Sequence, residues 1–141
     1  MLQSGRAYYI VNKASGTYLD RTSDGPIIIH PYNGGGNNQK WIAFRNGPYW
    51  TLQNGTGGYL TTSSFDHPDG LTLSTGHIRA GWQLQNTSGD DYTICLWTSV
   101  NNPPTFAVEP QDLPHTSTAY TGLYMYHGSD SQVWQFEEVT R

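Results

Sequence analysis

A unit of about forty residues is written three times along this chain, and no other feature of the sequence constrains the fold as strongly. Leu19 in "SGTYLD" and Leu60 in "TGGYLT" lie 41 residues apart, and Trp41 and Trp82 repeat that offset. A looser third copy ends at Trp134 in "SQVW", 52 residues after Trp82, and we assign its extra length to the Pro-rich stretches "NNPPT" and "EPQDLPH". Self-similarity at such a period indicates an architecture built from repeated units.

Each copy consists of short strand-like runs. Examples rich in β-branched and aromatic residues are "AYYIV", "QKWIAF" and "DYTICLW", and Gly, Asn, Asp, Ser and Pro separate them. No window of a dozen residues places apolar side chains at the i, i+3, i+4, i+7 spacing of an amphipathic helix. Short runs bounded by turn residues are typical of an all-β chain.

Three units of four strands restrict how the sheet can close. A propeller needs at least about four blades, so three units cannot form one. Three such units can close as a barrel capped by hairpins, which also removes exposed sheet edges. We therefore predict an all-β fold, a β-trefoil with three pseudo-threefold repeats of four strands. The prediction is one domain over residues 1–141, with repeats at about 5–46, 47–88 and 89–141.

Composition excludes several classes of partner. The formal net charge is −4 and charged residues make up only 13% of the chain, so we expect no nucleic-acid partner. No apolar run is long enough to insert into a membrane. The start "MLQSGRAYYIVNK" lacks the apolar core of a signal peptide, which predicts a cytoplasmic protein whose release, if any, is unconventional. The single cysteine, Cys95, is predicted to be a small core residue.

The succession "YxIxN…SGxYLD…GPIII…NNQKW" resembles the ricin-B-type (R-type) lectin module, especially its small fungal members, from about Ala7 to Phe136. The Gln-x-Trp signature of that family stands at Gln39-Lys40-Trp41 and Gln132-Val133-Trp134. In the second copy Ala80 replaces the glutamine. The resemblance implies a β-trefoil that binds carbohydrate.

A sugar site needs a carboxylate acceptor, an amide that both donates and accepts, and an aromatic ring for the apolar face of the sugar. Only the first copy holds the full set. The resemblance implies that Asp20 and Asn38 bind the sugar hydroxyls, while Gln39 mainly braces the aspartate and its loop. We expect Asp20 to be an exposed carboxylate that contributes little to stability.

The ring position follows the apolar triplet Ile27-Ile28-Ile29 and falls on His30, where the family more commonly has Trp or Tyr. Tyr32 is the alternative stacking residue. The backbone around Gly35 can approach a ligand closely because no side chain intervenes.

The other two copies are less complete. The second has Thr61 for the carboxylate, Ser74 at the ring position and Ala80 for the glutamine, which predicts no site. The third offers an incomplete set as a second sugar site, consisting of Glu109, Tyr126, Ser131 and Gln132. Its Glu is one methylene longer than the Asp of the first copy.

We therefore predict a lectin for glycans ending in galactose or N-acetylgalactosamine, with no metal or other cofactor and with a homodimer as one route to avidity. It is predicted not to be an enzyme, because neither His67-Pro68-Asp69 nor His127 with Asp130 has metal-ligand partners or a nucleophile motif. The alternative is a β-trefoil protease inhibitor that acts through the loop "SVNNPPTF" (Ser99 to Phe106).

Overall fold

The structure is a computed structural model that describes residues 2–23, 25–63, 70–77, 80–97, 105–111 and 119–139. Within these ranges the chain forms twelve β-strands and two short 3₁₀ turns. No helix in the described ranges is long and apolar enough to span a membrane.

The strands fall into three groups of four. The first group is β1 (Arg6–Asn12), β2 (Tyr18–Arg21), β3 (Ile27–His30) and β4 (Trp41–Asn46). The second group is β5 (Tyr49–Asn54), β6 (Tyr59–Thr61), β7 (Ser74–Gly76) and β8 (Trp82–Ser88). The third group is β9 (Asp91–Leu96), β10 (Phe106–Pro110), β11 (Ala119–Met125) and β12 (Val133–Glu138). The 3₁₀ turns, Asn37–Gln39 and Asp130–Gln132, precede β4 and β12.

Six strands close a barrel. Strands β1, β4, β5, β8, β9 and β12 pair antiparallel in that order, and β12 pairs back with β1. The other six form the hairpins β2–β3, β6–β7 and β10–β11. These meet around one axis, where Ile27 N donates to Leu73 O (3.0 Å) and Leu73 N donates to Thr121 O (3.1 Å). The predicted β-trefoil with three pseudo-threefold repeats of four strands is confirmed.

The three repeat tryptophans are completely buried. Each donates its indole N–H to a carbonyl oxygen in the second strand of its repeat: Trp41 to Leu19 (3.0 Å), Trp82 to Leu60 (3.1 Å) and Trp134 to Val108 (3.0 Å). The residue after each of these carbonyls is therefore the same position in every repeat. Those residues are Asp20, Thr61 and Glu109.

Cys95 is buried in β9, as predicted, and burial raises the pKa of its thiol from 9.0 to about 11. Because the folded chain holds the proton more tightly, this group's contribution to stability is present below pH 9 and is lost as the pH rises towards about 11.

We expect native protein at pH 8 to react with a thiol reagent at Cys95 far more slowly than urea-unfolded protein. Equal labelling rates for the two states would show that the thiol is accessible.

Candidate functional site

Asp20 lies one residue before the end of β2, where the 3₁₀ turn Asn37–Gln39 covers it. Asn38 Nδ2 donates to Asp20 Oδ1 at 2.8 Å, and Gln39 Nε2 donates to Asp20 Oδ2 at 2.9 Å. Asp20 is only 5% exposed. The expectation of an exposed carboxylate was wrong, because a turn eighteen residues further along the chain packs over the strand end. These three residues, Asp20, Asn38 and Gln39, are called the first-repeat set below.

Gln39 makes hydrogen bonds through both ends of its buried amide. Besides Asp20, its Nε2 donates to Pro31 O at 3.0 Å, and its Oε1 accepts from Asn33 N at 3.1 Å. The side chain therefore links β2, the segment after β3 and the 3₁₀ turn. An amide held at both ends fixes the orientation of the carboxylate it contacts.

Asn33 takes part in this network and was not identified from the sequence. Its Nδ2 donates to Asn38 Oδ1 at 2.9 Å, and its Oδ1 accepts from Gly36 N at 2.9 Å. The first bond directs Asn38 so that its Nδ2 faces Asp20. An Asn just before a run of glycines often bonds to backbone nearby in a turn, and this was the available signal.

His30 is partly buried at the end of β3, opposite Tyr18 in β2. Its Nδ1 lies 2.9 Å from Pro31 O. Because a carbonyl oxygen only accepts, Nδ1 is the donor in this contact. Pro31 O also accepts from Gln39, so one carbonyl joins the ring position to the first-repeat set.

Tyr32, the alternative ring, lies in a cluster with Tyr9 and Tyr18. The ring centroid of Tyr32 is 5.7 Å from that of Tyr9 and 5.2 Å from that of Tyr18. A hydrogen bond with Tyr9 is the main cause that raises the pKa of the Tyr32 hydroxyl. Tyr32 is nevertheless 54% exposed, so much of its surface remains available to a ligand.

Gly35 lies against the hydroxyl groups of this cluster. A Cβ on Gly35 would lie 3.2 Å from Tyr9 Oη and 3.3 Å from Tyr32 Oη, and its φ of +94° disfavours any other residue. The absence of a side chain at Gly35 therefore makes room for the hydroxyl groups of Tyr9 and Tyr32, whereas the sequence had suggested that it makes room for a ligand.

The third repeat carries a counterpart of the first-repeat set, which we call the third-repeat set: Glu109, Ser131 and Gln132. Ser131 Oγ donates to Glu109 Oε2 at 2.8 Å, and Gln132 Nε2 donates to Glu109 Oε1 at 3.0 Å. His127 Nε2 lies 3.7 Å from the same Oε1. In the sequence His127 is grouped with Asp130, but the structure places the His127 ring beside Glu109.

The ring position of the third repeat differs from the one taken from the sequence. Glu109 lies opposite Gly122, just as Asp20 lies opposite Ile28. In the first repeat the ring residue, His30, comes two residues after Ile28. The equivalent residue of the third repeat comes two residues after Gly122 and is Tyr124. The alignment of "LYMY" with "IIIH" was therefore wrong by two residues. A slip of two keeps every side chain on the same sheet face, so the apolar pattern could not reveal it.

The same shift affects two other assignments. Tyr126 corresponds to Tyr32 rather than to the ring position, and it stays a candidate second ring of the third repeat. In the second repeat Thr61 pairs with Ser74, so the ring position is Gly76 instead of Ser74. That repeat has no carboxylate at Thr61 and no ring at Gly76.

No group of three or more His, Cys, Asp or Glu residues that could hold a metal ion occurs in the described part of the chain. The residues His67, Pro68 and Asp69 lie outside the described ranges, as does most of the loop Ser99 to Phe106. Within the described ranges, the best-organised polar groups are the first-repeat and third-repeat sets.

The closed six-stranded barrel and its three hairpins place the protein in the class of β-trefoil folds. A family model described as "Ricin-type beta-trefoil lectin domain-like" matches residues 2–75. The chain belongs to this ricin-type β-trefoil lectin family, as its resemblance predicted.

Solved structures of low identity share the fold. The Macrolepiota procera ricin B-like lectin in complex with lactose is 22% identical, with a TM-score of 0.86 and 99% of each chain covered. The Rhizoctonia solani agglutinin is 20% identical, with a TM-score of 0.81 and 99% of each chain covered. The C-half of an earthworm R-type lectin in complex with GalNAc is 17% identical, with a TM-score of 0.70, covering 95% of this chain and 99% of that one. No curated protein matches the chain.

Proposed function

We propose that this protein binds glycans that end in galactose or N-acetylgalactosamine, through the first-repeat set and without a metal ion. The observation that carries the proposal is the buried Asp20 carboxylate, whose two oxygens are each oriented by a side-chain amide. A carboxylate fixed in this way is a preformed acceptor for two neighbouring hydroxyl groups. Hydrogen bonds to a charged acceptor are the strong ones, so this group supplies most of the affinity.

The arrangement also suits discrimination between sugar epimers. Each Asp20 oxygen accepts one amide hydrogen and retains a second lone pair for a ligand hydroxyl. A sugar whose hydroxyl points elsewhere would leave one of these lone pairs without a donor, which lowers the affinity for that epimer. His30 and the exposed Tyr32 supply rings for the apolar face of the sugar.

The related structures support the choice of sugar. The Macrolepiota procera lectin was solved with lactose and the earthworm lectin half with GalNAc. Both ligands present a galactose-type ring, which makes lactose the first probe for this chain.

Avidity follows from the weakness of a single site. A monosaccharide held at millimolar to tens of micromolar strength corresponds to about −4 to −6 kcal/mol, which is too weak for stable attachment to a cell. Stable attachment would need two sugar sites linked within one protein chain or one homodimer. The third-repeat set or a homodimer would provide the second.

A calorimetric titration tests the proposed function. Lactose should bind, and cellobiose should bind at least about tenfold more weakly, because it differs only in the C4 hydroxyl of its non-reducing sugar. Equal affinity for the two disaccharides would contradict the galactose specificity. Binding of neither, with N-acetylgalactosamine also inactive, would contradict the sugar class.

Chelation gives a separate prediction. The oxygens of Asp20 are held by amide donors, whereas calcium would need six to eight oxygen ligands around it. Lactose affinity should therefore be unchanged after dialysis against EDTA. A loss of binding that added calcium restores would contradict a metal-free site.

A further inference from the structure

Two asparagines tie the 3₁₀ turns of the first and third repeats to a neighbouring repeat. Asn54, the last residue of β5 in the second repeat, donates Nδ2 to Asn38 O at 3.0 Å. Asn12, the last residue of β1 in the first repeat, donates Nδ2 to Ser131 O at 2.9 Å. Both asparagines are buried. Their acceptors belong to Asn38 and Ser131, the residues whose side chains donate to Asp20 and Glu109.

The third junction has the same backbone but a different side chain. The three equivalent positions each lie opposite a repeat tryptophan: Asn54 opposite Trp41, Asn12 opposite Trp134, and Leu96 opposite Trp82. The next backbone N–H makes the same bond at every junction: Gly55 to Lys40 O (2.8 Å), Lys13 to Val133 O (2.9 Å) and Trp97 to Gly81 O (3.0 Å). The side chain of Leu96 has no amide to donate to the turn. The junction without an asparagine is the one next to the second repeat, which has Thr61 in place of the carboxylate.

Asn54 also connects to the strand that carries Asp20. Its Oδ1 accepts from Thr56 Oγ1 at 2.6 Å, and Thr56 Oγ1 accepts from Arg21 Nη1 at 2.8 Å. Arg21 directly follows Asp20 in β2. Asn54 therefore contacts the 3₁₀ turn on one side and is linked to the end of β2 on the other.

The contact between the second repeat and this turn is close. A Cβ on Gly55 would lie 2.5 Å from Asn37 O, a distance that no side chain tolerates. Glycine at this position lets the β5 end approach the turn and lets the Asn54 amide reach Asn38 O.

We propose that Asn54 is a positioning residue that sets the sugar affinity of the first-repeat set, and that Asn12 does the same for the third-repeat set. Asn54 holds the backbone of Asn38 so that its side-chain amide, and that of Gln39, stay aimed at Asp20. Without this support the turn would move and the carboxylate would no longer be fixed for a ligand. This inference rests on the proposed function. It gives the first-repeat and third-repeat sets each a supporting residue from the repeat that follows around the barrel.

The test compares Asn54→Leu with Asn12→Leu. Leucine is the residue that the chain itself carries at the third junction, and both variants remove a buried amide with several hydrogen bonds. Lactose is titrated at a temperature well below both melting transitions, with NMR detection of the Asn38 and Gln39 side-chain amides, which report the first repeat. The Gln132 amide reports the third repeat.

We expect Asn54→Leu to weaken lactose binding at the first repeat about tenfold, the equivalent of one hydrogen bond, and to shift the Asn38 and Gln39 amide signals without sugar. Asn12→Leu should shift the Gln132 amide and leave lactose binding at the first repeat within about twofold. A purely structural role would instead lower the melting temperature of both variants and leave first-repeat affinity alike in the two.

Unchanged lactose affinity in Asn54→Leu, or equal losses in the two variants, would overturn the inference. If Asn54→Leu does not fold, Asn54→Ser replaces it, because serine keeps an oxygen near Thr56 but does not reach Asn38 O. If the wild-type protein binds no galactoside, the proposed function is wrong. In that case unshifted Asn38 and Gln39 amide signals in the sugar-free Asn54 variant would overturn the positioning role separately.

Discussion

Asp20→Ala is expected to abolish measurable lactose binding. The substitution removes the only carboxylate of the first-repeat set, and with it both amide contacts from Asn38 and Gln39. Removing one partner of a charge-assisted network costs on the order of 2–4 kcal/mol, or about 30- to 1000-fold in affinity. A site that binds a monosaccharide in the micromolar to millimolar range would fall below calorimetric detection.

The same variant should also be less stable. Because Asp20 is buried, its loss leaves the Asn38 and Gln39 amides short of an acceptor, which costs about 1–3 kcal/mol. A urea titration beside the calorimetry measures this cost and shows that the variant is folded during the binding experiment.

The matched control is Thr61→Ala, at the same position of the second repeat. Lactose affinity should be unaltered in this variant. The second repeat has Ala80 where the first has Gln39, so it lacks the side-chain amide that would orient a group at position 61. Lactose binding that survives Asp20→Ala but is lost in Glu109→Ala would instead place the main site in the third repeat.

Trp41→Ala is expected to destabilise the protein by about 3–5 kcal/mol, the usual cost of emptying a buried aromatic position. Trp41 is fully buried, and its indole N–H also satisfies Leu19 O directly before Asp20. A chemical denaturation curve measures the change. Lactose binding should weaken as well, since the end of β2 loses its anchor.

The equivalent variants Trp82→Ala and Trp134→Ala provide the comparison. All three indoles are buried and make the same bond, at 3.0 to 3.1 Å, so their costs should agree within about 1.5 kcal/mol. Only Trp41→Ala should affect the first-repeat set. A loss below about 1.5 kcal/mol for Trp41→Ala would contradict its place in the core.

The fold could be read from the chain because it is repeated. The offset shared by Leu19–Leu60 and Trp41–Trp82 reflects one structural unit whose apolar face needs its neighbours, so the same positions recur wherever the unit does. The contact between Asp20 and Gln39 could also be predicted from the sequence, because an acidic residue and a glutamine recur together in the third copy as Glu109 and Gln132.

The other hydrogen bonds of the two sets could not be predicted from the sequence. Asn12 and Asn54 end aligned strands, "YYIVN" and "WTLQN", yet their role is visible only where one repeat meets the next. Their bonds to Ser131 O and Asn38 O join residues 119 and 16 positions apart in the chain. A local pattern carries no information on which backbone carbonyl a side chain will meet across such a junction.

The sequence by itself determined the all-β repeat and the carboxylate–amide pairs of the first and third copies, because each depends on residue type at a recurring position. Only the tertiary structure decided that Asp20 is buried and that the ring position of the third repeat is Tyr124. Burial of Asp20 depends on a turn that folds back over the strand end. The ring position depends on strand pairing, and a slip of two residues leaves the pattern of inward and outward side chains unchanged.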